Sequence, residues 1–511
     1  MVIKGSLKDE FEQLNNKIDS LSRSNSDLVS QLIKLTKKVS EVTKQNKELK
    51  DIIILKDLRI AELEQQINKN SRNSSKPPGS DFFNKPKPSS INKGKRAGGK
   101  KKKKASGGQK GHRGSTMKLK ETPDVIHQCL PADCIMCKFA NSCESSVSVA
   151  ESRNVVDVRI ISEQSQYDRI QRFCPTSNTI ISGSFPEGVN APLQYGSHLK
   201  AMVVALSSFG MVSAGRICEL VEGLAGISLS DGTVCNILAD CANRCSTYVP
   251  GMKEHILASY TAHFDETGIR VNGKIQWAHT SSTDNVTYIT AHAKRGVEGI
   301  LAGGVLQHFN GIAVHDCWGS YYHEEFKDAT HSACGAHIDR ELEGVIQNCR
   351  QRWAMGMKNL LWELYDTKRK LLAKGVQAAS KEMVKTFFAQ YDRILERGFS
   401  RNPYREPKKK KRGRPKKGKV LSLLERLRDL KDDVLRFFTD FRVPFSNNIG
   451  EKSFRLSKLK MKVAGSFRSA EGGSNFCLIF SVIDTVRKNG GNPFKSLVAL
   501  FNNSFSLSFL N

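Results

Sequence analysis

A heptad pattern of apolar residues runs through the N-terminal part of the chain. One seam is Leu7, Leu14, Leu21, Leu28, Leu35, Val42, Leu49, Lys56 and Leu63, and the other is Phe11, Ile18, Asn25, Leu32, Val39, Asn46, Ile53, Ile60 and Ile67. Leu on the d-type seam and β-branched residues on the a-type seam favour two parallel helices, and Asn on an a-type position fixes their register. Residues 1–68 are therefore predicted to form a coiled-coil homodimer. A long amphipathic helix packed on its own protein is the alternative.

A strand pattern occupies the middle of the chain. The predicted elements are strands at 260–271, 274–281, 286–293 and 311–314 and a helix at 296–307. Asn272-Gly273, between the first two strands, is a strong signal for a tight hairpin. Three antiparallel strands, a crossover helix and a fourth strand are the core order of an RNase H-like mixed sheet. The predicted fold class is therefore α/β.

Two aspartates stand at corresponding places in this predicted sheet. Asp265 lies in the middle of the first strand and Asp316 lies just after the fourth, so we expect the two carboxylates side by side. Adjacent carboxylates repel each other unless a cation lies between them, and hard oxygen ligands suit Mg²⁺. The pattern predicts a two-metal phosphoryl-transfer site.

A third acid is expected from a later helix. Glu451 shares a predicted helix face with Arg455 and Lys458, as a metal ligand facing a DNA backbone would need, and Asn447 or Asn448 is the expected helix cap. Glu341, on a predicted helix after Asp316, is the rival. Glu266 should point to the strand face opposite Asp265 and is a poor ligand.

Composition adds a partner class. The 511 residues carry a net charge of +29 with a pI near 9.6, which indicates that the binding partner is a polyanion. Nucleic acid is the default candidate for that partner. The sequence has no apolar run long enough for a membrane span and no apolar stretch near the N-terminus typical of a signal peptide. Thirteen cysteines without an export signal indicate reduced thiols. We expect a cytoplasmic, nucleoid-associated protein.

Two basic segments are candidates for DNA contact. Residues 69–122 are rich in Lys, Gly and Ser and are predicted to be a linker that is disordered when free. Its candidate phosphate contacts are Lys101, Lys102, Lys103, Lys104, Lys110 and Arg113. Arg412 and Arg414, in the sequence RGRP, resemble a short minor-groove arm. Solvated, charged loops are the alternative for both segments.

Cysteines cluster in residues 123–185, which are predicted to form a small domain. The candidate zinc ligands are Cys129, Cys134, Cys137, Cys143 and Cys174. Cys134 and Cys137 have the spacing of a zinc knuckle, but Ser177 stands where a second knuckle would place its cysteine. A set of ordinary reduced cysteines is the alternative.

Helices are predicted on both sides of the strands. Within residues 186–255, the segments 214–224 and 230–242 have the form of a helix-turn-helix with Ser230 as the cap of the second helix, although plain helical packing gives the same pattern. The strands belong to the first part of the predicted RNase H-like core, at 256–345. A helical insertion at 346–442 and the last part of the core at 443–511 follow.

Several motifs together resemble a known family. In chain order they are NSSKPPGSD (73–81), GGQKGHRG (107–114), DETG (265–268), HDCWGSYY (315–322), HSACGAHIDREL (331–342) and VPFSNN followed by EKSFR and GSFRS (443–469). In this order they resemble the transposases of the insertion-sequence 66 family, in the DDE group. The resemblance implies an RNase H-like core in which Asp265, Asp316 and Glu451 are the acidic triad.

The resemblance also implies a function. The expected activity is cleavage of the ends of an insertion sequence and their joining to target DNA, with two Mg²⁺ ions per site and Mn²⁺ as a substitute. Small accessory proteins of the same element are expected partners. A non-catalytic DNA-binding dimer, such as a regulator or an inactive copy, is the alternative from another class. An RNase H-type nuclease without strand transfer would share the site.

Overall fold

The computed structural model describes residues 3–67, 119–138, 144, 148–404 and 418–507. The chain divides into two compact units, one made of residues 85–165 and the other of residues 1–84 and 166–511. The boundary at 165 and 166 falls inside the segment 123–185 that the cysteine pattern predicts as one domain. In the described part of the smaller unit the regular element is a four-residue helix, and residues 155–161 are exposed and form no strand.

The strands are β1 (Gln171–Cys174), β2 (Thr179–Ser182), β3 (Thr261–Val271), β4 (Lys274–Ser282), β5 (Thr287–His292), β6 (Ile312–His315) and β7 (Thr330–Ala333). The helices are α1 (Ile3–Ile67), α2 (Ala132–Ile135), α3 (Ser197–Ser208), α4 (Ala214–Ala225), α5 (Asp231–Ser246), α6 (Val249–Leu257), α7 (Val297–Gly303), α8 (Gly335–Cys349), α9 (Arg352–Ala373), α10 (Lys381–Arg401), α11 (Lys419–Asp429), α12 (Lys431–Thr439), α13 (Asn448–Ser453), α14 (Arg455–Ala464), α15 (Ala470–Lys488) and α16 (Pro493–Phe501). None of the described helices is long and apolar enough to cross a membrane.

The long helix α1 has uncovered apolar seams wherever its side chains are described. Leu21 and Leu35 are 66% and 64% exposed, and the other seam residues with described side chains are exposed as well. The continuous helix agrees with the heptad pattern. An exposed apolar stripe of this length indicates a surface that a partner helix would cover, and the coiled-coil dimer stays a prediction.

A mixed five-stranded sheet is the centre of the larger unit. Its strand order is β5-β4-β3-β6-β7; β3 pairs antiparallel with β4 and β4 with β5, whereas β6 lies parallel to β3 and to β7. The predicted strand bounds agree within two residues. Asn272 and Gly273 both have positive φ, as the predicted two-residue hairpin requires.

The helix α15 covers the edge of the sheet at β5. The hydroxyl of Ser481 accepts the backbone N–H of Ile289 at 2.9 Å, and the hydroxyl of Thr485 accepts that of Thr287 at 3.0 Å. These bonds satisfy donors of a strand that would otherwise be an open edge. The sheet is therefore closed on this side by the C-terminal part of the chain.

Two further groups of helices pack around the sheet. The insertion helices α9–α12 share an apolar core with β6, β7 and α8, whose buried members include Trp353, Tyr391 and Phe438. The helices α4 and α5 occupy the predicted positions, with Ser230 accepting the N–H of Thr233 at 3.1 Å as the cap of α5. Since α5 buries one face in the core that also contains α15, this pair of helices has a packing role.

Candidate active site

The sheet brings Asp265 and Asp316 to adjacent strands. In the parallel pair of β3 and β6, His263 lies opposite Val314, and the same register carried two residues further sets Asp265 beside Asp316. Asp265 lies within β3 and Asp316 directly follows β6. Both residues are half-buried. The crossover connection from β3 to β6 thus brings two acids that are distant in sequence close together in space.

The surroundings of this pair disfavour two negative charges. Burial raises the pKa of Asp265 to about 8, with further contributions from the charges of Glu266 and Asp316. Burial likewise raises the pKa of Asp316 to about 6, and the charge of Glu266 adds to it. Each carboxylate accepts one backbone N–H, from Glu266 at 2.9 Å and from Trp318 at 3.0 Å. A cation between them would relieve both burial and repulsion.

Glu266, the next residue of β3, is held by a different set of groups. Its buried carboxylate accepts bonds from Arg295 at 2.6 and 3.0 Å and from the hydroxyl of Tyr321 at 2.5 Å. Arg295 in turn lies over the rings of Trp277 and Trp318, 4.8 and 4.2 Å from their centroids. Because side chains alternate along a strand, Glu266 points away from the Asp265 face. Its carboxylate is therefore engaged by Arg295 and Tyr321.

His315 fixes the backbone of Asp316. Its Nδ1 donates to the carbonyl oxygen of Asp316 at 2.5 Å, so Nε2 accepts from Nδ1 of His331 at 2.9 Å. The ring stacks on Tyr321 with centroids 4.4 Å apart. Burial lowers the pKa of His315 to about 3, so the ring is neutral at physiological pH. These contacts hold the end of β6 in place.

Asn447 connects the strands to the segment that carries Glu451. Its side chain contacts Nδ1 of His263 at 2.8 Å and donates to the carbonyl oxygen of Phe264 at 2.7 Å, while its backbone N–H donates to Sγ of Cys334 at 3.1 Å. The predicted cap of α13 is correct in position only. Asn447 precedes the helix, but its side chain makes no capping bond because it is used by β3.

Glu451 lies on α13 next to residues of α8. Its Oε1 is 3.1 Å from Nη2 of Arg340 and 3.7 Å from Nδ1 of His337. Single ligand atoms of Cys334, His337 and Glu451 all lie within 4.8 Å of one another, and within the described ranges these three are the residues that form such a metal-capable group. Asp265 and Asp316 are not members of it.

The predicted helix around Glu451 is divided in two. Phe454 separates α13 from α14, so Glu451 and Arg455 lie on different helices and do not share one helix face, and Glu451 pairs with Arg340. Arg455 and Lys458 are exposed near the start of α14. The charge of Lys458 lowers the pKa of Asp265, which indicates that this lysine lies toward the aspartates.

The rival third acid, Glu341, is also paired. Its Oε2 contacts the guanidinium of Arg426. The positive charge of Arg426 lowers the pKa of Asp316, so this ion pair also lies near the site. Glu341 is therefore already paired with a cation near the site. Its substitution is a suitable control for the substitution of Glu451.

The remaining predicted site residues are apart from the acids or outside the described ranges. Cys129, Cys134 and Cys137 are exposed in the smaller unit, whereas Cys174 ends β1 in the larger one. Residues outside the described ranges are Lys101, Lys102, Lys103, Lys104, Lys110, Arg113, Cys143, Arg412 and Arg414. The zinc and DNA roles of all these residues stay predictions.

Sequence reasoning missed four residues that build the site, namely His263, Arg295, Tyr321 and Arg340. Each is tied to an acid or to its segment by a contact between distant parts of the chain. Local spacing carries no signal for such contacts. The one available hint was that polar residues inside apolar strands, such as His263, need a buried partner.

Comparison with known proteins places the chain in a family. Residues 193–475 match the model described as the transposase IS66 family, and residues 5–118 match a family of unknown function (DUF6444). No curated protein matches. Among solved structures, the cryo-EM structure of a simian T-cell lymphotropic virus intasome in complex with the PP2A regulatory subunit B56 gamma aligns at 13% identity over 32% of this chain and 62% of that chain, with a TM-score of 0.14. A likeness this low does not indicate a shared fold. The family match covers more than half of the chain, and the protein therefore belongs to the transposase IS66 family.

Proposed function

We propose that this transposase-family protein cuts DNA at the ends of an insertion sequence and joins those ends to target DNA by divalent-metal-dependent phosphoryl transfer. The observation that carries the proposal is the register of β3 and β6, which sets Asp265 beside Asp316. We also assign the sheet to the RNase H-like class. Its support is the order of three antiparallel strands, a crossover through α7 and two parallel strands.

The donor set fits hard divalent cations. Asp265 and Asp316 offer carboxylate oxygens, which are the ligands that Mg²⁺ and Mn²⁺ prefer. Within the described residues neither aspartate forms an ion pair with Lys or Arg, and burial raises the pKa of both. Asp265, Asp316 and Glu451 would hold two ions. Such ions, when bound, supply activation of a water or a 3′-OH and stabilisation of the leaving oxygen.

The protein's own residues would position the acids and the DNA. His315 and the N–H of Trp318 orient Asp316, and Asn447 docks the Glu451 segment on β3. Arg340 holds Glu451 before DNA and metal bind, and we propose that it exchanges this carboxylate for a phosphate of the DNA. The reaction is an in-line displacement at phosphorus and needs no covalent bond between enzyme and DNA.

DNA affinity would come from cations outside the acidic site. Arg455 and Lys458 are exposed on α14, where they can contact phosphates, and the charge of Lys458 acts on Asp265. The net charge of +29 supports further non-specific contacts, for which the basic segments around Lys101–Lys104 and Arg412–Arg414 are the candidates. A homodimer through α1 would bring two element ends together. Small accessory proteins of the element are a proposed further partner.

A second candidate function is a DNA-binding dimer without catalysis. The observation that favours it is that Glu451 contacts Arg340 and forms a metal-capable group with Cys334 and His337 of which neither aspartate is a member. A protein of this class would not depend on Asp265 or Asp316. The two functions therefore predict different activities for a variant in which Asp265 or Asp316 has lost its carboxylate.

The experiment is a cleavage and joining assay on candidate element ends with Mg²⁺ or Mn²⁺. We expect nicks with free 3′-OH groups and joined products, and a loss of at least about 10²-fold in Asp265→Asn, Asp316→Asn and Glu451→Gln, since removal of a metal ligand costs several kcal/mol of transition-state stabilisation. DNA affinity should be retained. Cleavage without joining would indicate a nuclease.

Matched controls come from the same chain. Asp284→Asn changes an exposed aspartate in the turn before β5, and Glu341→Gln changes the rival acid. Both should cleave normally. Full activity of Asp265→Asn, or intact DNA under all these conditions, would rule out the catalytic proposal. Loss of activity in Glu341→Gln but not in Glu451→Gln would identify Glu341, on α8, as the third acid.

A further inference from the structure

A second potential metal site lies where the end of β7, α8 and α13 meet. Cys334 directly follows β7 and precedes α8, and His337 lies in the first turn of that helix. Glu451 reaches the same place from α13, and the ligand atoms of the three residues lie within 4.8 Å of one another. The group combines a sulfur, an imidazole nitrogen and a carboxylate oxygen.

Close packing fixes these elements together. The N–H of Gly335 donates to the carbonyl oxygen of Phe445 at 2.8 Å. A Cβ at Gly335 would lie 2.4 Å from the Phe445 ring, so only glycine allows this approach. The N–H of Asn447 then donates to Sγ of Cys334 at 3.1 Å. The three donors are therefore carried by a braced turn and a docked helix, as a preorganised site requires.

The polar atoms of the group are incompletely satisfied. Nδ1 of His337 is buried and has no hydrogen-bond partner. It faces Oε1 of Glu451 at 3.7 Å, which is too long for a hydrogen bond. An unpaired buried nitrogen normally costs stability, and here a nitrogen of the same ring lies within 4.8 Å of a carboxylate oxygen and a sulfur. A cation among the three would satisfy all of them at once.

The donor types select the kind of cation. Thiolate and imidazole suit Zn²⁺, whereas Mg²⁺ prefers oxygen ligands alone. Ligand atoms of a tetrahedral Zn²⁺ site lie about 3.5 Å apart, as follows from the usual bond lengths of about 2.0–2.3 Å. The separations within 4.8 Å therefore require only small side-chain movements. Three protein ligands would leave the fourth position to water.

We propose that Cys334, His337 and Glu451 bind one Zn²⁺ ion. Binding replaces the proton of the Cys334 thiol by a sulfur–metal bond, and the proton goes to solvent. Arg340 contacts Oε1 of Glu451, the oxygen that also faces His337. The ion would take this oxygen, and Oε2 would be left for Arg340. The site differs from the Asp265–Asp316 pair in its ligands and in the class of ion that it takes.

Zn²⁺ at this site would also regulate the protein, a consequence that rests on the proposed function. A Glu451 carboxylate bound to Zn²⁺ beside Cys334 is withdrawn from the two aspartates. The ion would then act as an antagonist of Mg²⁺-dependent cleavage. Release of Zn²⁺ would make Glu451 available to the acidic pair.

The binding test uses Co²⁺, which gives a visible spectrum and a thiolate charge-transfer band in place of spectroscopically silent Zn²⁺. The full-length protein without DNA is titrated with Co²⁺, and the bound equivalents and the band are measured, followed by displacement with Zn²⁺. Cys334→Ser should bind one equivalent fewer than the wild type and lose the corresponding absorbance. His337→Gln, a change of a partly exposed residue, should do the same.

A matched cysteine controls for the other thiols of the chain. Cys477 is as deeply buried as Cys334 but lies among apolar residues of α15 and β3–β5. Cys477→Ser should bind as many equivalents of Co²⁺ as the wild type. If folded Cys334→Ser and His337→Gln, checked by circular dichroism, keep the wild-type stoichiometry and band, the site is refuted.

The regulatory part is tested in the cleavage assay. Micromolar Zn²⁺ should inhibit Mg²⁺-dependent nicking by the wild type, and Cys334→Ser should be resistant. Equal inhibition of both proteins would overturn the antagonism. If neither protein cleaves DNA, the proposed function fails, whereas the Co²⁺ stoichiometry still decides whether the metal site exists.

Discussion

His263 and Asn447 are 184 residues apart in sequence and joined by a 2.8 Å hydrogen bond in a buried position. The amide of Asn447 also donates to the backbone of Phe264 at 2.7 Å, so one side chain ties the strand that carries Asp265 to the segment that carries Glu451. Burial lowers the pKa of His263 to about 4, so the ring is a neutral hydrogen-bonding partner. This connection makes the position of Glu451 depend on β3.

Asn447→Ala should therefore damage both stability and the site. Removing the amide leaves the carbonyl of Phe264 and a nitrogen of His263 buried without partners, each at a cost of about 1–3 kcal/mol. We expect a clearly lower melting temperature and a larger loss of DNA cleavage than the stability change explains. Asn448→Ala, at the exposed neighbouring position, is the control. Equal melting temperatures of the two variants would contradict the role of Asn447.

The buried carboxylate of Glu266 gives a second prediction. Its side chain is 2% exposed and depends on Arg295 and Tyr321 for all the bonds described above. Arg295→Met should destabilise the fold by about 1–3 kcal/mol, because it leaves the buried carboxylate with Tyr321 alone, and the 42% exposure of Arg295 makes the loss smaller than for a fully buried pair. Urea unfolding of the variant and the wild type measures the difference. Lys327→Met, which removes an exposed ion pair with Glu324, should leave the unfolding midpoint unchanged.

Much of the central sheet could be predicted from sequence because its signals are local. The hairpin at Asn272-Gly273 sets the β3–β4 register. The short strand before Asp316 is largely apolar and is therefore expected in the buried interior of the sheet. The adjacency of Asp265 and Asp316 follows from these two elements once the crossover is assumed. The same reasoning located α4, α5 and the Ser230 cap.

The surroundings of Glu451 could not be predicted in the same way. A helix through 448–464 satisfies apolar periodicity, but the chain breaks it at Phe454, which is fully buried in the core under the sheet. Tertiary packing thus overrode the local pattern. The partners Arg340 and His337 come from α8 and are identified by geometry alone.

The exposed seams of α1 lead to a prediction about assembly. In a parallel dimer Leu21 and Leu28 would pack against their copies, so Leu21→Lys with Leu28→Lys should bury charge in the interface and abolish dimerisation. Sedimentation equilibrium of the full-length protein measures the mass. Ser26→Lys with Ser30→Lys adds the same charge outside the seams and should remain dimeric. A wild-type monomer would refute the coiled coil.

Lys368 should make stability depend on pH in a defined direction. This lysine of α9 is buried and its Nζ donates to the carbonyl of Val443 at 2.6 Å, at the start of the segment that leads to Asn447. Burial lowers the pKa of Lys368 from 10.5 to about 8, although the charge of Asp440 opposes the shift. Between these two pH values the unfolded chain binds a proton that the folded protein does not, so the free energy of unfolding rises with pH in this window.

Removing the amine removes this dependence. Relative to Lys368→Met, the wild type should gain stability on the order of 3 kcal/mol between pH 8 and pH 10.5, since the pKa falls from 10.5 to about 8 and one pKa unit corresponds to about 1.4 kcal/mol. Melting temperatures at pH 7, 8, 9 and 10 measure the difference. Lys370→Met, on the exposed face of α9, should follow the wild type at every pH because its amine is solvated in both states. Parallel curves for the wild type and Lys368→Met would mean that Lys368 keeps its proton in the folded protein, held there by Asp440 and the Val443 carbonyl.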